Sequence, residues 1–415
     1  MRALRAALVS SALAGCGFPM PALLGGDAGG GNDSGSGSGA LDGGTHDGQV
    51  AHDDGQVGHD GTPPACFGSG FYKVCLPPPT AMFPGDALLI DTTIGASSSC
   101  AADVTVPSDN SLCVVAFSQL VMTDGQAILA TGPRPLVVIG ATSISIGDGA
   151  TIDVSTHTGG SATGAGYGTG DCNFPNADST IGTGGPGGSF GTQGGSGGLS
   201  TNGGALWASA ATLSLPTSLR GGCGGTAGVG GGGGSGGADQ GKGGGVVALL
   251  SNGTVEVDGV LAAAGEGANG GSANGSAMFQ GGGGGGTGGM ILIATTQLSG
   301  NGIIAAPGGG GGQGAYYDSF LGENITGAAG ADPGVQPGND SIPDGAAGGS
   351  GHLGGAAGGN GDPLDGNSAP GANVSGVVAS ADGGGGGGGG GWILFTGGVN
   401  MLTFTGQISP PITGI

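Results

Sequence analysis

The residues best suited to chemistry fall into three groups. The first is a run of histidine–aspartate pairs, His46-Asp47, His52-Asp53-Asp54 and His59-Asp60. Imidazole and carboxylate are ligands for divalent transition metals, and this spacing lets a flexible chain bring three imidazoles to one ion. An unordered chain, however, loses closure entropy on binding. The run therefore reads as a solvated linker repeated by slippage, and no metal site is assigned. The second group is Asp148, Asp153, Glu256 and Asp258. Paired carboxylates cleave glycosidic bonds, and sites for uronate-containing polysaccharides add Arg or Lys. Beyond the first sixteen residues the only cations of that kind are Lys73, Arg134, Arg220 and Lys242. The four acids accordingly read as turn-forming or solvent-facing, and no catalytic residue is assigned. The third group is the cysteines: Cys16, then Cys66, Cys75, Cys100, Cys113, Cys172 and Cys223. The last six contain no CxxC and have no histidine close by, so disulfides are a better reading than a metal site. Short separations favour Cys66–Cys75 and Cys100–Cys113, which leaves Cys172–Cys223.

Other motifs carry less. Gly358-Gly359-Asn360-Gly361-Asp362 approaches a calcium-binding glycine–aspartate repeat, but with the aspartate one position early and in a single copy. Gly241-Lys242-Gly243 lacks the hydroxyl residue of a phosphate loop. Ser196, between Gly194 and Gly198, has the spacing of a nucleophile elbow without a strand–turn–helix around it. Tyr316, Tyr317, Phe320 and Trp392 are the aromatics of the glycine-rich end, suited to sugar stacking or to core packing. No cofactor is implied.

These residues need elements to hold them, and the composition limits the choice. The chain has 415 residues, 112 of them glycine, a formal net charge of −22 and 8% charged residues. Globular proteins average about 7% glycine and about 25% charged residues. Six Lys and Arg in all leave too little positive charge to neutralise nucleic-acid phosphates. Residues 17–62 are mostly Gly, Asp, Ser and His. They bury too little apolar surface to offset backbone ordering and read as a disordered tether.

Residues 63–130 read as a cysteine-containing, β-rich cap, with strands over 87–90, 104–106, 113–117 and 127–129. From 131 to 415 short β-rich units alternate with glycine stretches. The units lie at 135–155, 205–221, 246–265, 290–308 and 392–410, and the middle three recur at roughly 40 residues. Alternation at Ile144, Ile146, Ile152 and Val154, and at Val255 and Val257, gives each strand one apolar face. No unit holds enough apolar surface to fold alone, so stacking is required. The expected fold is all-β: a parallel β-solenoid or β-helix with glycine-rich loops. The tracts Gly281–Gly286, Gly308–Gly312 and Gly383–Gly391 abut strands without a spacer. Two readings stand for them, loose linkers or extended segments packed side by side through backbone hydrogen bonds, in the manner of polyproline II chains.

The N-terminus has the features of an export signal: Arg2 and Arg5, an apolar run over 6–13, then Leu13-Ala14-Gly15-Cys16. The run is too short to span a bilayer, which takes about 20 apolar residues. The segment resembles the lipobox of bacterial lipoproteins, which implies a lipid on Cys16 and a membrane attachment through it. Gly17, in place of Asp, resembles the sorting pattern of outer-membrane lipoproteins. With SLCVVA (111–116), GPRPLVVIGATSISIGDGATIDVS (132–155), LRGGCGG (219–225) and GGGGGGTGGMILIATTQLSGNG (281–302), the chain is similar to glycine-rich surface lipoproteins numerous in myxobacteria. That resemblance implies an outer-membrane or cell-surface location. It carries no catalytic residues. The expected function is non-enzymatic, in adhesion, envelope structure or recognition of an extracellular glycan or envelope partner. The alternative is a polysaccharide-active β-helix lyase or hydrolase.

Overall fold

The computed structural model describes residues 63–69, 72–85, 87–93, 100, 112–158, 163–168, 172, 182–200, 215–230, 238–273, 279–318, 323–333, 361, 372, 382–397 and 401–415. The readings made for Cys16, for the 17–62 tether and for its histidines fall outside this set, as does the strand expected over 104–106. Among the described residues there is no α-helix.

The chain winds as a three-sided parallel β-solenoid. After a hairpin, β1 (Ala65–Phe67) and β2 (Val74–Leu76), strand β3 (Leu88–Asp91) leads into five coils of three strands. The first is β4 (Cys113–Phe117), β5 (Leu120–Met122) and β6 (Ala127–Thr131). The second is β7 (Leu136–Gly140), β8 (Ser143–Ile146) and β9 (Thr151–Asp153). The third is β10 (Val246–Leu250), β11 (Thr254–Val257) and β12 (Val260–Ala262). The fourth is β13 (Met290–Ala294), β14 (Gln297–Gly300) and β15 (Ile303–Ala305). A second hairpin, β16 (Tyr316–Asp318) and β17 (Glu323–Ile325), precedes the fifth coil. That coil is β18 (Trp392–Phe395), β19 (Leu402–Phe404) and β20 (Gln407–Ser409), and β21 (Ile412–Gly414) follows it. Sheet one runs β4-β7-β10-β13-β18-β21, sheet two β5-β8-β11-β14-β19, and sheet three β3-β6-β9-β12-β15-β20. The boundary expected at residue 130 falls inside β6. Strands β4 to β6 pair in parallel with β7 to β9 and belong to the same solenoid.

One side chain in two faces the axis. Leu120, Ile144, Val255 and Leu298 form one inward row on sheet two, and Ile128, Ile152, Leu261 and Ile304 form another on sheet three; all are buried. Sheet one differs. Its strands β7, β10 and β13 are buried on both faces, because the β1–β2 hairpin, Tyr72 and Phe190 cover the outer row of Val137, Ala248, Leu292 and Leu394. Burial on both faces explains why Val246–Leu250 and Met290–Ala294 are continuous apolar runs, whereas β8 and β11 alternate. The corner from sheet two to sheet three repeats a turn: Asp124-Gly125, Asp148-Gly149, Asp258-Gly259 and Asn301-Gly302. Gly125 and Gly149 take φ of 77° and 74° there, a conformation that disfavours any residue with a Cβ.

The glycine stretches leave from one place, the corner between sheet three and the next strand of sheet one. They are ordered. The 281–289 segment donates N–H groups with a period of three: Gly282, Gly285 and Gly288 to the carbonyls of Gly383, Gly386 and Gly389; Gly283, Gly286 and Gly289 to those of Asn269, Glu266 and Ala263; Gly281, Gly284 and Thr287 to those of Val229, Thr226 and Cys223. It accepts from three further segments, at Gly185 and Gly188, at Gly241 and Gly244, and at Gly309 and Gly312. Three residues per turn is the period of polyproline II. The segment therefore lies at the centre of a hexagonal bundle, bonded to six others. A Cβ on Gly282, Gly284, Gly285 or Gly286 would come within 1.9–2.1 Å of a neighbour's carbonyl oxygen, so no other residue fits. Outer segments relax the rule, as at Ala263, Ala264 and Ala268. Of the unit expected over 205–221, the described residues 215–221 form no strand. They cover the hairpin side of the solenoid, with the Tyr72 hydroxyl donating to the Pro216 carbonyl at 3.0 Å.

Candidate functional site

The acids singled out in the sequence do not converge. Asp148 is an exposed turn residue. Asp258 occupies the same corner one coil on and accepts from the Asn301 N–H at 3.1 Å. Glu256 projects from the outer face of sheet two, with the Ser145 hydroxyl donating to it at 3.4 Å. Asp153, on the outer face of β9, stands apart from these three and joins a different group.

That group is the densest titratable cluster among the described residues. The His157 ring lies 3.2 Å from Asp153, whose other oxygen accepts from the Ser155 N–H at 2.8 Å. Asp332 accepts from the Thr158 N–H at 2.6 Å, from the Thr158 hydroxyl and from the Gly267 N–H at 2.8 Å. Glu266 accepts from the Lys242 N–H at 3.1 Å. Burial pushes the Asp153 carboxyl upward, but hydrogen bonds from His157 and Ser155 outweigh it and hold the group below its ordinary range. The bond to Asp153 raises His157 against the effect of burial, and Asp332 and Glu266 add to the rise. Burial raises Glu266 and the nearby Tyr167. Three carboxylates around an imidazole are chemically suggestive, yet they are spent on fastening. Asp332 ties the strap after β9 to the 263–271 segment, and Glu266 ties that segment to 238–245. Sequence reasoning missed His157, Glu266 and Asp332; the alternating Asp153, Ser155 and His157 were the only local signal.

Two of the four cations, Arg134 and Arg220, are also held by the fold. Arg134 donates to the carbonyls of Thr92, Thr93 (2.6 Å) and Leu112 (3.3 Å), and lies 3.0 Å from the Cys100 sulfur. It fastens the long β3–β4 connection. Arg220 stacks 4.8 Å above the Phe190 ring, Lys73 is exposed, and Lys242 offers its backbone to Glu266. The cysteines pair as Cys66–Cys75, Cys100–Cys113 and Cys172–Cys223. The first staples the hairpin, the second the solenoid's head, and the third ties Cys172 to the glycine bundle at Cys223. Ser196 lies half-buried on the 182–200 segment, which forms no strand or helix. Tyr316 is buried and Trp392 half-buried on sheet one; the side chains of Tyr317 and Phe320 lie outside the described residues, as does most of 358–362.

One cavity opens beside the hairpin, lined by Ser69, Tyr72, Leu215, Pro216, Thr396 and Ile415, and its wall is apolar. No Asp, Glu or His side chain lines it, and burial pushes the Tyr72 hydroxyl up to about 12. Among the described residues no group of three or more His, Cys, Asp or Glu is placed to hold a metal, and no helix is long and apolar enough to cross a membrane. No protein-family model, curated protein or solved structure matches the chain.

Proposed function

We propose that the chain is a cell-envelope lipoprotein, attached through Cys16, whose folded body is a rigid non-enzymatic surface module. It serves adhesion, envelope structure or recognition of an extracellular glycan. The N-terminal features and the resemblance to glycine-rich surface lipoproteins support the location. One observation supports the non-enzymatic reading above the others. The carboxylates of Asp153, Glu266 and Asp332, clustered around His157, and the guanidinium of Arg134 are all bonded to the chain's own backbone, so they serve rigidity. Two measurements test this. Cys16→Ser is expected to move the protein from the membrane to the soluble fraction; retention after a carbonate wash contradicts the anchor. Screening the purified protein on glycans and cell envelopes is expected to find binding without turnover. Polysaccharide cleavage lost in Glu266→Gln would instead favour the hydrolase or lyase alternative.

A further inference from the structure

Among the described residues an asparagine precedes a glycine at Asn252-Gly253, Asn269-Gly270 and Asn301-Gly302. Such a pair is open to spontaneous loss of the side-chain amide, because glycine has no Cβ to keep its nitrogen from the neighbouring side chain. The glycine nitrogen attacks the asparagine Cγ. A Cγ–N bond forms, the Cγ–Nδ2 bond breaks, and ammonia leaves with the proton that the glycine nitrogen carried. Water then opens the succinimide ring. Opening at Cγ gives aspartate; opening at the backbone carbonyl gives isoaspartate, whose main chain runs through Cγ. Water is the only co-reactant. The step needs two freedoms: the peptide plane between the residues must turn, and no fixed acceptor may hold the glycine N–H.

The three sites differ in both. At Asn301 the plane is fixed through the nucleophile itself. The Gly302 N–H donates to the Val257 carbonyl of the preceding coil at 2.9 Å, Gly302 is buried, and the Asn301 N–H donates to Asp258 at 3.1 Å. Asn301 therefore keeps its amide, although the same corner carries Asp124, Asp148 and Asp258 in the three coils before it. At Asn269 the plane is held by its oxygen, which accepts from Gly283 of the central bundle segment at 3.1 Å, and the Asn269 N–H donates to the Asp239 carbonyl at 3.0 Å. Asn252 has neither restraint. It is exposed, and among the described residues neither its N–H nor its C=O is bonded. The reason lies in the register. Leu250 and Thr254 pair with Ala294 and Gln297 of the next coil, so four steps of chain face three at this corner. The extra residue is left unpaired, as in a bulge. Among the described residues the Gly253 N–H is held by the Ser251 hydroxyl alone, at 3.1 Å and within the same corner.

We infer that the Asn252-Gly253 corner is a site of spontaneous deamidation, and that the folded chain loses this amide before those of Asn269 and Asn301. The product adds a negative charge at a corner that already carries an extra residue, so the ladders of β10 and β11 persist around it. The test is incubation of the full-length protein at mildly alkaline pH, with peptide mass mapping and fragmentation to place each conversion of amide to acid. A parallel arm in urea gives the rate of each pair in the unfolded chain, and each folded rate is divided by that value. On this scale Asn252 should convert first, and Asn269 and Asn301 should lag by about tenfold, the factor that corresponds to one retained hydrogen bond. Asn252→Gln, whose longer side chain does not close a five-membered ring, should retain its amide throughout; circular dichroism checks that it keeps the fold. Any other order among the three pairs overturns the proposal. So does an Asn252 amide that survives in the folded protein after the urea arm is fully converted. Loss of the amide in Asn252→Gln at the unaltered rate would mean plain hydrolysis and overturns the ring-closing route.

Discussion

The solenoid and the glycine bundle lie side by side, and both are stacks of extended chain, but opposite things hold them. In the solenoid, rows such as Leu120, Ile144, Val255 and Leu298 put apolar side chains between sheets. Each such side chain contributes about 1.5–3 kcal/mol on burial. In the bundle the central segment has almost no side chains, and its neighbours meet backbone to backbone. There a net gain of about 0.5–1.5 kcal/mol per hydrogen bond is set against an ordering cost of about 1–2 kcal/mol per residue. Hydrogen bonding alone therefore roughly breaks even. The bundle depends on being anchored, by strands at its ends and by Cys172–Cys223 at its side. The lesson is that a glycine run is ordered or not according to what surrounds it.

The comparison can be broken from either side. Ile291→Asp in β13 places an unpaired charge in the solenoid core, where Ile291 is fully buried. It should cost more than about 4 kcal/mol and abolish the cooperative urea transition. Removing Cys172–Cys223, which spans 51 residues, should cost about 4 kcal/mol in the chain-entropy account. Removing Cys100–Cys113, which spans 13, should cost about 3 kcal/mol. Urea midpoints of the paired Cys→Ser variants measure both. In the bundle, Gly285→Ala puts a methyl group 2.1 Å from the Gly309 carbonyl oxygen. It should cost about 2–4 kcal/mol through displaced hydrogen bonds, while Ala329→Ser, at an exposed position of an outer segment, should stay within about 0.5 kcal/mol. Equal effects from these two would mean that the centre is not packed.

A smaller effect comes from pH. Asp382 opens the 382–391 segment, is buried, and has an oxygen without a hydrogen-bond partner; burial pushes its carboxyl up to about 7. A group raised in the folded state stabilises below its unfolded pKa, and that stability is lost as pH rises through the folded value. Stability should therefore fall between about pH 4 and pH 7, by on the order of 2–4 kcal/mol, and Asp382→Asn should remove most of the slope. His157 is raised as well and has the same sign, its contribution disappearing as pH rises past the ordinary histidine range. Because its ring is more than half exposed, His157→Gln should cost less than about 1 kcal/mol. Chemical unfolding at several pH values checks both.

The solenoid was legible where a strand has one wet face. The alternation of Ile144, Ile146 and Val255, Val257 marks inward rows directly, and the Asp-Gly corners mark the turns. Sheet one was legible only as apolar runs. The grouping into three strands per coil was hidden by the glycine excursions, which set the apparent period of about 40 residues. The segment 205–221 looked like another unit because its apolar residues resemble strand content, yet Leu219 serves to cover the outside of sheet one. The acids were read correctly as turn residues at Asp148 and Asp258. The fastening of Asp332 to Thr158 and Gly267 was beyond reach, since it joins residues far apart whose meeting is decided by the path of the bundle.

The central claim is that the glycine tracts are hydrogen-bonded structure and not loops. Native-state amide hydrogen exchange at Gly282–Gly289, read beside Ile291–Ile293 of β13 in the same sample, tests it most directly. Protection of the glycine amides to within about tenfold of the strand amides, the span of about 1.4 kcal/mol in opening free energy, is the expected result. Exchange of the glycine amides at the rate of an unstructured chain, with β13 still protected, would contradict it.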